Sequence, residues 1–213
     1  MKSRICTSRG YKLTLYQISS KSVERLGREK LTDRRLSLDR DRLSRAAVVT
    51  ALALFEHVNL LYGAVSEFCS ARAPACADMT GPGGRSYAWL DERGKKSRVA
   101  APQYVDYVMT YTQKTVNDEA VFPTKYANEF PPHFGAAVRR VVRLLFHVVA
   151  HLYAAHFREL ALLRLHAHLH LTFAHLTALD RRFALLDAKE TDVLRDLEAA
   201  LRLGDATSRW FKL

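Results

Sequence analysis

An all-α helical bundle carrying one small β-hairpin is the fold predicted by these 213 residues. Three observations point to it. From Phe134 onward, Val138, Val141, Val142, Leu145, Phe146, Val149 and Leu152 keep the 3.6-residue spacing of a buried helix face, with Arg139, Arg140 and Arg143 on the other side. Residues 46–62 form an apolar run too long for a strand. Stretches rich in Pro and Gly separate the helical segments, and only the DERGK turn is flanked by strand-like words.

The elements follow in order. Residues 31–45 are dense in charge and read as a short polar helix or a linker, and residues 46–62 as a buried helix that Gly63 loosens. Pro74, Gly81, Pro82, Gly83 and Gly84 make residues 69–86 a loop. Residues 87–90 and 97–100 then pair as a hairpin. Pro102 suits the first turn of a helix through Tyr104, Tyr107, Val108 and Tyr111. Pro123, Pro131 and Pro132 interrupt the pattern before the helix that starts at Phe134. Residues 160–179 form another apolar helix, studded with His166, His168, His170 and His175. Asp187 followed by Glu190 makes a capping box for a last helix that stops at Gly204.

The charge is distributed unevenly. The chain carries a formal +11, yet residues 1–45 hold 13 Lys and Arg against 5 Asp and Glu. The remainder holds 20 against 17, so the folded part is close to balanced. The predicted organisation is a basic extension over residues 1–45, a helical domain over 46–204 and a short tail over 205–213. A basic tail of this kind is most often solvated, and can touch nucleic acid, membranes or acidic partners. No stretch reaches the roughly eighteen apolar residues that a membrane span requires. No apolar segment of a secretory signal follows the first basic residues. Residues 1–23 lack acids, a composition shared with organellar transit peptides, but a cytoplasmic location, with the nucleus as a second site, is the expectation.

Three cysteines, one of them (Cys6) in the basic leader, do not make a disulfide scaffold in a chain of this length. Cys69 and Cys76 lie on the Pro-containing loop, and His151 and His156 lie far downstream on an apolar helix. Together they can close one tetrahedral zinc site. The Cys-x6-Cys spacing by itself is a weak signal. Five residues separate His151 from His156, which puts them roughly 140° apart on an ideal helix. Either the helix ends or distorts between them, or His147 and His151, four apart on one face, are the better pair.

The strings FEHVNLLYGAVSEFC, YAWLDERGKKSRVAAPQYVDYVM, VFPTKYANEFPPHF and LLFHVVAHLYAAHF resemble the Mob/phocein family of kinase co-activators. FPTKY, LFHVVAHLYAAHF and LLDAKET are most similar to the branch that binds NDR-type kinases, and the likeness covers about residues 46–203. The resemblance implies a Mob-type helical bundle with a small β-hairpin and a zinc-stapled loop, and no enzymatic activity. It assigns the structural zinc to Cys69, Cys76, His151 and His156. The family loop usually has four residues between its cysteines where this chain has six, a difference of small entropic cost.

The implied partner is the N-terminal regulatory segment of an NDR/LATS-type kinase of the AGC group, in Hippo-like control of cell division and morphology. The family's second surface is a basic patch that receives an upstream kinase phosphopeptide through Arg–phosphate contacts. Here the matching positions read Arg143, Leu144 and His147, with Arg139 and Arg140 adjacent, which points away from phosphopeptide binding of the best-studied kind. Where the family carries a Glu-Trp word for kinase docking, this chain has Arg45 and Ala46, and Ala53 stands where an acid is common. Glu56, Glu67 and Asp106 remain as acidic contacts. Loss of acids from a steered interface slows association, so a degenerate or repurposed scaffold is the alternative.

Two other classes weigh less. An enzyme would need an open coordination position and a carboxylate such as Glu159 as base, and a closed Cys2His2 set leaves no room for activated water. GPGG at residues 81–84 lacks the remainder of a phosphate-binding loop. A nucleic-acid-binding module would use the basic tail, or stack bases on Tyr104, Tyr107 and Tyr111. Their spacing of three and four marks a core-facing helix stripe. His166 and His170, one turn apart, read as hydrogen-bonded or surface histidines.

Overall fold

The computed structural model describes residues 36–123 and 130–203, with side chains described from Thr50 onward. Helix α1 (Leu36–Val65) is followed by 3-10 turns at Pro74–Cys76 and Pro82–Gly84, then strands β1 (Trp89–Leu90) and β2 (Lys96–Ser97). Helices α2 (Ala101–Asn117), α3 (Phe134–Ala155), α4 (Phe157–Leu162) and α5 (His166–Phe183) come next. The described chain ends with α6 (Ala188–Thr191), a 3-10 turn at Asp192–Leu194 and α7 (Arg195–Ala200). An all-α bundle with one two-stranded hairpin is what the sequence predicts. No helix among the described residues is long and apolar enough to cross a membrane.

Helix α3 is the axis of the bundle. Every residue from Leu144 to Leu152 is buried, so the one-sided stripe read from the sequence widens into burial all round. Helix α1 packs on α3 and α5, and α2 packs on α3 and α1. Their contributions to the common core include Leu54, Val58 and Val65 from α1, Val105 and Val108 from α2, and Leu169, Phe173 and Leu176 from α5. Burial of this size on a chain of this length is the main stabilising term.

Several boundaries differ from the expectation. The polar segment before residue 46 and the apolar run after it form one helix backbone, which passes through Gly63 without a break. The hairpin is shorter than predicted: Trp89 pairs with Ser97 and Leu90 with Lys96, and an isolated bridge joins Thr80 to Ser86. Pro102 does lie in the first turn of α2.

The helix predicted over residues 160–179 is two helices. Arg164 adopts φ 58 between α4 and α5, a left-handed turn that no apolar periodicity can signal. The last helix is broken as well, by the 3-10 turn at Asp192–Leu194, and Gly204 lies outside the described residues, as do the predicted tail and residues 1–35 of the basic extension.

Asp187 is the N-cap of α6, but no side chain completes the predicted capping box. The Asp187 carbonyl instead takes the amides of Glu190 and Thr191, at 2.8 and 3.3 Å. The half-buried Glu190 side chain is used elsewhere, against His147 and Arg85.

Candidate metal centre

Cys69 stands just past the end of α1, where its amide donates to the Val65 carbonyl at 3.1 Å. Cys76 closes the 3-10 turn after Pro74, its amide bonded to the Ala73 carbonyl at 2.9 Å. Pro74 begins that turn because it needs no amide donor there. His151 lies inside α3, and His156 is at once the C-cap of α3 and the N-cap of α4, with φ −128 and ψ 11. The helix therefore breaks between the two histidines, as their five-residue spacing requires. The kink swings His156 onto the side of His151, and their ring centroids are 5.3 Å apart.

All four donor side chains are buried, and their nearest ligand atoms lie within 4.8 Å of one another. Cys69 Sγ is 3.8 Å from His151 Nε2, and Cys76 Sγ is 3.4 Å from His156 Nε2. Tetrahedral zinc, with Zn–S of about 2.3 Å and Zn–N of about 2.0–2.1 Å, separates sulfur from nitrogen by about 3.6 Å. The two measured distances straddle that value. Two thiols and two imidazoles are also the donor set that zinc prefers, so the residues fit the ion.

The surroundings complete the electrostatics. Burial, followed by the neighbouring Cys76, pushes the Cys69 thiol up to about 12, and a hydrogen bond with Tyr62 opposes this. Burial also lowers the proton affinity of His151 and of His156. Without a cation the pocket favours a neutral Cys69 thiol and neutral imidazoles; a divalent ion would reverse this for that thiol. His151 Nδ1 donates to the Thr80 carbonyl at 2.8 Å, which leaves Nε2 free to ligate. Tyr62 and Thr80 were missed in the sequence. Tyr62 lies on the last turn of α1 and Cys69 beyond its end, so no helical register linked them.

The alternative pair His147 and His151 is not assembled. His147 is buried, with its ring stacked 4.0 Å from that of Tyr87. It bonds Tyr104 at 2.7 Å and Glu190 at 3.2 Å. Both of its ring nitrogens are thus committed to partners within this chain. The arginines of the expected basic patch are divided. Arg139 is exposed, whereas Arg140 donates to the Leu90 carbonyl at 2.9 Å and lies 4.4 Å over the Tyr111 ring. Arg143 is half-buried, and its charge acts on Glu190 and Tyr104.

Glu56, Glu67 and Asp106 are exposed. Tyr104 is fully buried, and Tyr107 and Tyr111 pack against Trp89 and Arg140 at the hairpin. In α5, His170 accepts a hydrogen bond from Tyr153 at 2.9 Å, and His166 meets it edge to face. Among the described residues no other set of three or more His, Cys, Asp or Glu side chains gathers closely enough to hold an ion.

Fold and site together define a helical bundle whose thiol loop and central helix converge on one closed four-donor cluster. The Mob1/phocein family model matches residues 45–194, and the chain belongs to that family. Over 156 residues the chain is 73% identical to a Drosophila melanogaster protein named MOB kinase activator-like 2, covering 73% of this chain and 27% of that one. It is 49% identical to human MOB kinase activator 2, over 70% of this chain and 62% of the relative. Identity to maintenance of ploidy protein mob2 of Schizosaccharomyces pombe is 36%, over 70% of this chain and 60% of the relative. The chain thus spans less than two thirds of the length of each.

Proposed function

We propose that this chain is a non-catalytic adaptor that binds and co-activates a protein kinase, with one structural zinc stapling its loop to its core. The observation that carries the reading is the family match over residues 45–194, which contains all four donors. Relatives of similar sequence bear the name kinase activator. Four protein donors leave zinc no open position, so the ion would hold structure and would not activate water.

The partner class we infer is the N-terminal regulatory segment of an NDR/LATS-type kinase, in Hippo-like signalling in the cytoplasm and nucleus. On α1 and just beyond it, exposed Glu56 and Glu67 flank Leu60, which is 56% exposed. An apolar contact between two acids suits a basic amphipathic helix, through electrostatic steering and a short apolar anchor. Co-activation would follow from tighter binding to the ordered, active kinase conformation.

Affinity capture at physiological salt, scored for a kinase with a basic helical N-terminal segment, tests this. Glu56→Lys with Glu67→Lys should slow association by about tenfold, with the difference shrinking as salt rises. Recovery of no kinase, or of RNA held by residues 1–45 instead, would overturn it.

A further inference from the structure

Four buried side-chain polar atoms lack a hydrogen-bond partner among the described residues: the Tyr87 hydroxyl, Thr112 Oγ1, His156 Nδ1 and Glu159 Oε2. Two of them belong together. They lie three residues apart at the start of α4, one is a ring nitrogen able to donate and the other a carboxylate oxygen able to accept. Buried polar atoms are rarely left unpaired, and two complementary ones three residues apart call for an explanation.

Both belong to the same helix end. His156 is the N-cap of α4 and Glu159 occupies its third helical position. In that relation a carboxylate folds back over the N-cap residue, where it normally takes the backbone amide. Here the His156 amide already donates to the Leu152 carbonyl at 3.1 Å. The donor left for Glu159 is the imidazole. Its charge reaches that ring, since Glu159 is the charged group that raises the proton affinity of His156 against the effect of burial.

The tautomer follows from the site. His156 Nε2 faces Cys76 Sγ at 3.4 Å, so a ligating Nε2 leaves the proton on Nδ1. His151, the other histidine, already has its Nδ1 acceptor in the Thr80 carbonyl. We propose that Glu159 is the outer-sphere carboxylate of the zinc centre, accepting the Nδ1 hydrogen of His156 and fixing the direction in which Nε2 points. The inference rests on the reading of the cluster as a zinc site, and gives Glu159 a positioning role in place of the catalytic one an enzyme would need.

The test is zinc affinity of the full chain by competition with a chromophoric chelator. Glu159→Ala should bind zinc 10–100-fold more weakly than the parent chain, as loss of an outer-sphere partner does elsewhere. Glu159→Gln, which keeps a neutral acceptor, should recover most of that loss. Circular dichroism at saturating zinc should be the same for all three chains. A second measurement needs no variant: in the zinc-loaded parent chain, the His156 Nδ1 hydrogen should give a downfield, slowly exchanging nitrogen-coupled resonance. Unchanged affinity in Glu159→Ala, or a fast-exchanging Nδ1 hydrogen, overturns the role of Glu159 and leaves the zinc reading standing. A parent chain that binds no zinc overturns both.

Discussion

The Tyr104 hydroxyl donates to His147 Nδ1 at 2.7 Å, tying α2 to α3 from positions 43 residues apart. Because Nδ1 accepts, the ring proton sits on Nε2 and is donated to Glu190 Oε2 at 3.2 Å. Burial lowers the proton affinity of His147 and keeps it neutral. The hydrogen bond from His147 is the largest influence holding the Glu190 carboxyl below its ordinary range, helped by Arg85 and Arg143 and opposed by desolvation. Three helices are thereby joined by a neutral histidine between a phenol and a carboxylate.

Stability should fall in mild acid. The folded-state proton affinity of His147 lies below its ordinary value of 6.5, so the unfolded chain takes up a proton first as pH drops. Its contribution is complete above about pH 6.5 and is lost as pH falls from there toward the depressed folded value. Glu190 has the same sign at lower pH, its contribution present above its ordinary value and lost as the carboxyl protonates. Urea midpoints at pH 7.5, 6 and 5 should decrease in that order. His147→Phe, which strands the Tyr104 hydroxyl and Glu190, should lower stability at pH 7.5 by about 2–3 kcal/mol. A midpoint flat from pH 7.5 to 5 would contradict the neutral buried histidine.

Purified chain should carry one zinc, read by elemental analysis, and a chelator should lower its melting temperature. Cys69→Ser or His151→Ala should cost about 4 kcal/mol or more, since each opens a closed site that holds α1, the loop and α3 together. An untouched melting curve in both variants would remove the staple from the account of the fold.

Ala184 ends α5 in the left-handed region, at φ 49 and ψ 55, with its amide on the Asp180 carbonyl at 2.7 Å. Glycine adopts that conformation without a Cβ clash. Ala184→Gly should therefore stabilise the chain by about 0.5–1 kcal/mol, visible as a higher thermal midpoint.

Arg140 and Arg139 should behave differently although they are adjacent. Arg140→Ala removes the bond to the Leu90 carbonyl and the stacking on Tyr111, and should cost about 1–1.5 kcal/mol. Arg139→Ala, at an exposed position, should stay within about 0.5 kcal/mol. Equal effects in chemical denaturation would refute the clamp.

Much of the architecture can be read along the chain, because it follows from local rules. The periodicity after Phe134, Pro102 at the start of α2 and the DERGK turn each depend on neighbours a few residues away. Even the break between His151 and His156 follows from angular arithmetic once both are required at one point. The turn at Arg164 has no such signature, and apolar spacing runs straight across it.

By itself the sequence determined the helical class, the hairpin around the DERGK turn and the family, with the four clustered donors named inside its motifs. Tertiary packing alone decided that His147 turns inward to Tyr104 and that Glu190 abandons its cap for that histidine. The physical reason is distance along the chain. A helical stripe is set by side chains within two turns, whereas each ring nitrogen chooses its partner from whatever the folded bundle brings alongside. For Cys69 and His151 that partner arrives from 82 residues away.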